Sequence, residues 1–166
     1  MTTTTSTAPG YPLDAWAMEA AIDAGNADWV AQLIAAGADL SSKTTGPSAK
    51  RTRGGVTPLG LAIHDPDILQ MLLNAGAPVN QVAVPWGGTA LHMAVVQSAG
   101  EGVIEMLLMA GADPLLTDGK GQRPLDYLGW AVAEHLSDDD KNLVRIATRL
   151  AIKTAKLNGP KRPKHG

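Results

Sequence analysis

The 166-residue sequence contains no cysteine, no phenylalanine and only two tyrosines. The absence of cysteine excludes disulfide bonds, thiolate-bound metal sites and a cysteine nucleophile. No apolar run approaches the roughly 18 residues that a membrane-spanning helix needs. Residues 1–10 are mostly threonine and lack the basic start and apolar stretch of a secretory signal. We therefore expect a soluble, cytoplasmic protein with no membrane partner.

The hydrophobic residues that are present are mostly small or branched. They make up 45% of the chain, and alanine and leucine dominate them. Side chains of this kind suit closely stacked helices better than a sandwich of sheets. The composition therefore favours an all-α fold.

Charge is distributed unevenly, although the net charge is only −2. Residues 1–42 contain five acidic side chains and residues 54–119 contain six, with no lysine or arginine in either segment. Residues 43–53 contain four basic side chains, residues 141–166 contain eight, and neither segment has an acidic one. Such separation of charge can select and steer a charged partner.

Two short phrases recur in phase along the chain. The glycines of the first phrase are 39 and 35 residues apart, and the leucines of the second are 32 and 34 apart. The first phrase occurs as Leu33-Ile-Ala-Ala-Gly-Ala-Asp39, Leu72-Leu-Asn-Ala-Gly-Ala-Pro78 and Leu107-Leu-Met-Ala-Gly-Ala-Asp113. The second phrase occurs as Gly55-Val-Thr-Pro-Leu59, Gly87-Gly-Thr-Ala-Leu91 and Gly121-Gln-Arg-Pro-Leu125.

These phrases resemble the ankyrin repeat, which has a period of about 33 residues and the signature Thr-Pro-Leu-His-x-Ala. Thr89-Ala-Leu-His-Met-Ala94 departs from that signature only by alanine for proline, and Thr57-Pro-Leu-Gly-Leu-Ala62 departs only at the histidine. The resemblance covers roughly residues 14–130 and, more loosely, the rest to about residue 156. It implies an all-α ankyrin-repeat solenoid, in which each unit is a helix, a turn, a second helix and a glycine stop, followed by a short β-hairpin-like finger.

The residues themselves agree with this reading. Thr57 can cap a helix by accepting from backbone N–H groups, and Pro58 suits the first helical position, where no N–H is needed. Gly76 can end the second helix in a left-handed conformation. A single helix pair cannot bury its own apolar face, so neighbouring units must stack.

We expect an ankyrin-repeat domain at residues 12–156, between a disordered N-terminal tail at 1–11 and a basic disordered tail at 157–166. The first unit is degenerate, since Trp16-Ala-Met18 replaces Thr-Pro-Leu. The last unit ends in a helical cap. The four units are expected at about residues 14–40, 55–80, 87–118 and 121–156.

Two segments depart from a regular repeat. A basic insert at residues 41–54 lengthens the first finger, and the second unit is trimmed at residues 64–67. The apolar stripe of the C-terminal helix is predicted to seal the stack with Leu143, Ile146, Ala147 and Leu150.

The candidate catalytic groups favour structural explanations. His92 lies at the signature histidine, which in ankyrin repeats bridges neighbouring units by hydrogen bonds. His64 lies beside Asp65 and Asp67, a weak metal or acid–base cluster that a turn between helices explains better. Asp138–Asp140 precede a helix and suit its N-terminus. We predict a non-enzyme with no catalytic residue, no metal and no cofactor; hydrolysis at the His64 cluster is a remote alternative.

The resemblance also implies where a partner binds, because ankyrin proteins typically use finger tips and outer positions of the first helices, which form a concave face. Trp86 is the strongest candidate, since an exposed tryptophan is a common anchor; the alternative is that it folds back onto its own finger. Trp130 can equally pack against the terminal helix. The positions predicted on this face are Asp23, Val56, His64, Asp65, Val84, Trp86, Gly88, Val96, Gln97, Lys120, Gln122 and Trp130.

Two basic segments leave alternatives open. Lys50, Arg51 and Arg53 of the insert can clamp an acidic partner or belong to a solvated loop. On the terminal helix, basic residues recur every four positions, which aligns them in one stripe. A solvated helix face explains this stripe better than a nucleic-acid site, because no aromatic platform is interleaved with it. The stripe consists of Lys141, Arg145, Arg149 and Lys153.

The sequence therefore predicts a protein–protein interaction module, monomeric when free. An alternative of another class is a dedicated inhibitor, such as a bacterial immunity protein or antitoxin that neutralises a basic toxin or enzyme. Its motivation is the acidic stretch 54–119, which would attract a basic partner. Nucleic-acid binding through the C-terminal helix and tail is a remote third reading.

Overall fold

The computed structural model describes residues 15–43, 55–83, 87–127, 149–154 and 156. Helices account for the regular structure in these ranges, and no strand occurs in them. The predicted tails at 1–11 and 157–166 lie outside the described residues, as does most of the 41–54 insert. The helices are α1 (Ala15–Asp23), α2 (Ala27–Ala35), α3 (Pro58–Leu61), continued by a 3₁₀ turn η1 (Ala62–His64), α4 (Pro66–Asn74), α5 (Ala90–Val96) and α6 (Glu101–Met109).

The helices form two layers. Within a unit, α1 packs on α2, α3 on α4, and α5 on α6. Between units, α1, α3 and α5 pack side by side as an inner layer, and α2, α4 and α6 do so as an outer layer. Units 1, 2 and 3 are these three helix pairs in chain order, and unit 4 begins with helical residues 124–127. The predicted all-α solenoid of stacked pairs is confirmed.

Side-chain caps fix where the helices begin. The hydroxyl of Thr57 accepts from the Gly60 N–H at 3.2 Å, and Pro58 occupies the first helical position. In unit 1, Asn26 accepts from the Trp29 N–H at 2.9 Å. Each cap satisfies a backbone donor that the helix itself leaves unpaired. The caps therefore set the register of the units.

The recurring glycines end the outer-layer helices. Gly37, Gly76 and Gly111 have φ values of 82°, 83° and 95°. After each glycine the next N–H returns to the last turn of its helix, as from Ala77 to the Leu72 carbonyl at 3.0 Å. This is the Schellman arrangement, in which a residue without a Cβ takes the left-handed position at low cost. The three predicted helix stops are confirmed.

Unit 2 is the trimmed one, as the spacing predicted. Asp65 follows η1 and directly caps α4, with its Oδ1 accepting from the Ile68 N–H at 3.1 Å. In unit 3 the residues 97–100 separate the two helices. In unit 2, therefore, a single residue, Asp65, separates η1 from α4.

The core runs through all three helix pairs and reaches the C-terminal segment. Leu150, in helical residues 149–154, is completely buried. The rest of the predicted sealing stripe lies outside the described residues. The largest fully buried side chains are Met18, Leu59, Ile63, Ile68, Leu69, Leu72, Leu91, Ile104, Leu107 and Leu150.

Candidate functional site

Three equivalent positions form a row along the inner layer. Asp23 ends α1, His64 ends η1 and Val96 ends α5. All three side chains are exposed, Val96 at 48%. Because the inner helices pack side by side, these side chains follow one another across units 1, 2 and 3. We call Asp23, His64, Val96 and the adjoining Asp65 and Gln97 the concave row.

A hydrogen bond joins two units on the concave row. His64 Nε2 lies 2.8 Å from Gln97 Oε1, although the two residues are 33 positions apart. The amide oxygen accepts, so the imidazole donates from Nε2. The bond holds two exposed polar side chains in a fixed relation. That His64 and Gln97 contact a partner remains a prediction.

Asp65 combines a structural contact with a position on this surface. Its Oδ1 caps α4, and a Cβ added to Gly25 would lie 3.9 Å from its Oδ2. Gly25 forms the turn between α1 and α2 with φ of 60°. The carboxylate of unit 2 therefore lies beside the turn of unit 1, where glycine has no side chain to cover it.

Val56 does not belong to this surface, so its prediction was wrong. Its side chain is 1% exposed and packs in the core. The reason lies at Gly60, which replaces the signature histidine. A Cβ on Gly60 would lie 2.7 Å from Met93 Sδ and 2.9 Å from Val56 Cγ1. The missing side chain leaves a space that Val56 and Met93 fill.

His92 bridges unit 3 to unit 4, as the resemblance implied. The buried ring accepts at Nδ1 from the Thr89 N–H at 3.1 Å, so Nε2 donates to the Gln122 carbonyl at 3.1 Å. Tyr127 packs against it edge-on, with ring centroids 6.4 Å apart. Burial lowers the pKa of His92 below its usual value, against the opposing influence of the Gln122 carbonyl and of Asp118 and Asp126. The neutral imidazole is therefore the form that fits.

The third finger, between units 3 and 4, is organised around Asp118. Its Oδ1 accepts from the N–H groups of Lys120 at 2.8 Å and Gln122 at 3.0 Å, and its Oδ2 accepts from the Tyr127 hydroxyl. Burial raises the pKa of Asp118, but these hydrogen bonds outweigh it and lower the pKa. The Tyr127–Asp118 hydrogen bond raises the pKa of Tyr127 to about 12. Lys120 and Gln122 are exposed on the finger, as predicted.

The second finger, between units 2 and 3, and the third finger, between units 3 and 4, touch through their backbones. Ala83 donates its N–H to the Gly88 carbonyl at 2.8 Å, and Gly87 donates its N–H to the Ala83 carbonyl at 3.0 Å. Gly87 has φ of 78°, and a Cβ on it would lie 2.6 Å from the Gly119 nitrogen. This contact had no signal in the sequence, because it depends on the distance between two separate fingers.

Other surface features were also missed. Val82, in the second finger, is 42% exposed, and Met109 on the outer layer is 81% exposed. Asn80 joins units 2 and 3, with its Nδ2 donating to the Gly111 carbonyl at 3.0 Å and its Oδ1 accepting from the Asp113 N–H at 2.8 Å. Its distance of 33 residues from Asp113, one repeat period, was the available signal.

Six predicted contact residues lie outside the described residues. They include the tryptophan predicted as the main anchor and the basic group of the insert. They are Lys50, Arg51, Arg53, Val84, Trp86 and Trp130.

One member of the basic stripe has partners within the chain. Arg149 forms ion pairs with Glu101 at 3.3 Å and Glu105 at 2.9 Å on α6. These pairs connect the C-terminal helical segment to unit 3, while Lys141 and Arg145 of the stripe lie outside the described residues.

In the described part of the chain, no three His, Asp or Glu side chains gather closely enough to hold a metal ion. None of the helices described there has the length and apolar character needed to cross a membrane.

Comparison with known proteins agrees with the geometry. A family model of ankyrin repeats in three copies matches residues 17–118. An ankyrin repeat protein of Fowlpox virus (strain NVSL) is 33% identical over 100 residues, which are 59% of this chain and 27% of that protein. The human 2-5A-dependent ribonuclease is 45% identical over 61 residues, 37% of this chain and 8% of the enzyme.

The chain thus spans little more than a quarter of the first relative and less than a tenth of the second. The matched region coincides with the stacked helix pairs, the glycine stops recur at about the repeat spacing, and His92 bridges unit 3 to unit 4 at the signature position. On these grounds the chain belongs to the ankyrin repeat family.

Proposed function

We propose that this chain binds another protein through the concave row and the finger loops, without catalysing a reaction. The observation that carries the proposal is the exposed row across three stacked units, held partly by the His64–Gln97 hydrogen bond. Ankyrin repeats are in general protein-interaction modules. A surface that is formed before the partner arrives loses little conformational entropy on binding.

The charge of this surface supports a basic partner. The concave row carries two carboxylates, the exposed Asp23 and the half-buried Asp65, and no lysine or arginine. A field of one sign raises the association rate of an oppositely charged protein. We therefore propose that the partner is positively charged where it meets units 1 to 3.

A dedicated inhibitor is the second candidate, and the same acidic surface favours it. A basic enzyme, such as a toxin that acts on nucleic acid, would dock with its cationic substrate-binding side against this surface. The chain would then act as an immunity protein or antitoxin. An activity assay on the captured partner separates the two ideas, because a partner that keeps full activity in the complex is not inhibited.

The test of the main proposal is affinity capture from the native cell, with the chain as bait. The double variant His64→Ala/Gln97→Ala removes one exposed hydrogen-bonded pair from the concave row. The matched control is Gln70→Ala/Asn74→Ala, which removes a hydrogen-bonded pair of the same 2.8 Å length from the exposed face of α4.

We expect the concave double variant to lose the partner and the control to retain it. The opposite pattern, or equal capture by both variants, refutes binding through the concave row. Far-UV circular dichroism of both variants checks that they remain folded.

A further inference from the structure

We infer that Ser98 is a contact residue of the proposed interface, and that its hydroxyl forms a hydrogen bond with the bound partner. This inference rests on the proposed function and adds a residue that the sequence did not indicate. Ser98 directly follows Gln97 in the turn between α5 and α6. The inference follows from an unfavourable backbone conformation for which the described part of the chain offers no compensating contact.

Ser98 occupies a position that elsewhere belongs to glycine. Its φ is 53°, and every other positive φ among the described residues belongs to a glycine. The equivalent turn of unit 1 has Gly25, with φ of 60°. The hydrogen bonds are equivalent as well, since Ser98 donates its N–H to the Val95 carbonyl at 3.1 Å and Gly25 donates to the Ile22 carbonyl at 2.9 Å. A Cβ crowds the backbone in this left-handed region, so serine is less stable here than glycine.

The usual structural roles of a serine in a turn do not apply to Ser98. Helix α6 begins after Gly100 without a side-chain capping bond, so Ser98 does not cap it. Its side chain is exposed, and within the part of the chain that the structure describes its hydroxyl has no hydrogen-bond partner. The hydroxyls of Thr57 and Thr89, by contrast, both bond inside the chain. Backbone strain without a structural contact is typical of residues that bind a ligand or partner.

A side chain at this position of the turn lies on the surface of the concave row. In unit 1, a Cβ added to Gly25 would lie 3.9 Å from Oδ2 of Asp65, a member of the row in the next unit. The equivalent Cβ of Ser98 is therefore directed along the same surface. The neighbouring Gln97 is hydrogen-bonded to His64 at 2.8 Å. A partner that covers this pair comes within reach of the Ser98 hydroxyl, which can both donate and accept.

The experiment compares stability and affinity in two variants of Ser98. Ser98→Gly removes both the hydroxyl and the strain, whereas Ser98→Ala removes the hydroxyl and keeps the strain. Ser98→Gly should raise the folding equilibrium constant about twofold to fivefold, because the relief of the left-handed strain exceeds the extra flexibility of glycine in the unfolded chain. Ser98→Ala should not raise it. Urea unfolding followed by far-UV circular dichroism measures both constants.

The binding probe is the protein that the wild-type chain captures from its native cell, purified after identification by mass spectrometry. Biolayer interferometry measures its affinity for each variant. We expect both Ser98→Ala and Ser98→Gly to weaken binding about threefold to tenfold, as for the loss of one uncharged hydrogen bond. A serine with a purely structural role gives a different pattern, in which the more stable Ser98→Gly binds as tightly as the wild type.

Gly37→Ser is the matched control. It introduces a serine at φ of 82° on the outer layer, at a position where a Cβ meets nothing within 4 Å. This variant should lower the folding equilibrium constant about twofold to fivefold and leave the affinity unchanged. An equal loss of affinity in Gly37→Ser would attribute the effect to stability and overturn the inference.

The remaining outcomes separate this inference from the proposed function. If either Ser98 variant binds the captured protein as tightly as the wild type while His64→Ala/Gln97→Ala loses it, the inference is overturned and the proposed function stands. If Ser98→Gly is no more stable than the wild type, the serine is not strained and the inference fails. If every concave variant binds unchanged, or the wild type captures no protein, both are overturned.

Discussion

Acidification is expected to weaken the joint between units 3 and 4, because His92 must stay neutral there. Its Nδ1 accepts from the Thr89 N–H, and a proton on that nitrogen breaks this bond. Burial holds the pKa of His92 below 6.5 in the folded chain. The unfolded chain therefore binds the proton more readily. The stability that neutral His92 contributes is complete above pH 6.5 and is lost as the pH falls from 6.5 toward the folded pKa.

The magnitude has an upper bound. One titrating group changes the free energy of unfolding by at most about 1.4 kcal/mol per pH unit. Urea unfolding followed by far-UV circular dichroism at pH 7.5, 6.5 and 5.5 measures this slope. In His92→Gln, the loss of two hydrogen bonds should cost about 2 kcal/mol at pH 7.5, and the slope between pH 6.5 and 5.5 should become shallower.

A second variant separates a general loss of stability from the loss of the His92 titration. Ile68→Val, in the fully buried core of unit 2, should cost about 0.5–1.5 kcal/mol and retain the wild-type slope, because His92 is untouched. If His92→Gln and the wild type lose stability in parallel as the pH falls, His92 is not the group responsible and the reasoning is refuted.

Three further predictions use the same unfolding assay. Gly87→Ala should cost about 2 kcal/mol, since it strains a positive φ and meets the Gly119 nitrogen at 2.6 Å, whereas Gly100→Ala meets nothing within 4 Å and should be tolerated. Thr57→Ala should cost about 1 kcal/mol through loss of the cap, and Thr57→Ser should restore most of it. The pKa of Asp118 is lowered in the folded chain, so the stability that its carboxylate contributes is complete above pH 3.8 and is lost as the pH falls below that value. Asp118→Asn should therefore make the free energy of unfolding fall less steeply with acidification, and an unchanged slope contradicts this.

The repeat architecture could be predicted because its markers are local. A left-handed helix stop favours glycine, so Gly37, Gly76 and Gly111 mark the ends of equivalent helices from their spacing alone. Thr57 and Pro58 mark a helix start for equally local reasons. The positions of the concave row follow from the same period, which is why Asp23 and His64 were found at the surface.

Features that depend on two distant segments could not be predicted. Val56 was placed on the surface by its position in the repeat, but the glycine at position 60 turns it into the core. That outcome depends on Met93, from the next unit, occupying the same space. The contact between Gly87 and Gly119 likewise depends on how far apart two fingers lie. Such distances are set by the packing of whole units.

The touching fingers have a consequence for how this protein can diversify. Main-chain atoms are the same in every amino acid, so the position of the two fingers relative to each other is insensitive to which side chains their tips present. Substitution of exposed residues such as Lys120 can thus change the chemistry of the finger surface without moving the backbone of the fingers. The backbone contact between Gly87 and Gly119 keeps the two fingers in place. Substitutions at exposed finger positions can therefore change which partner the fingers bind.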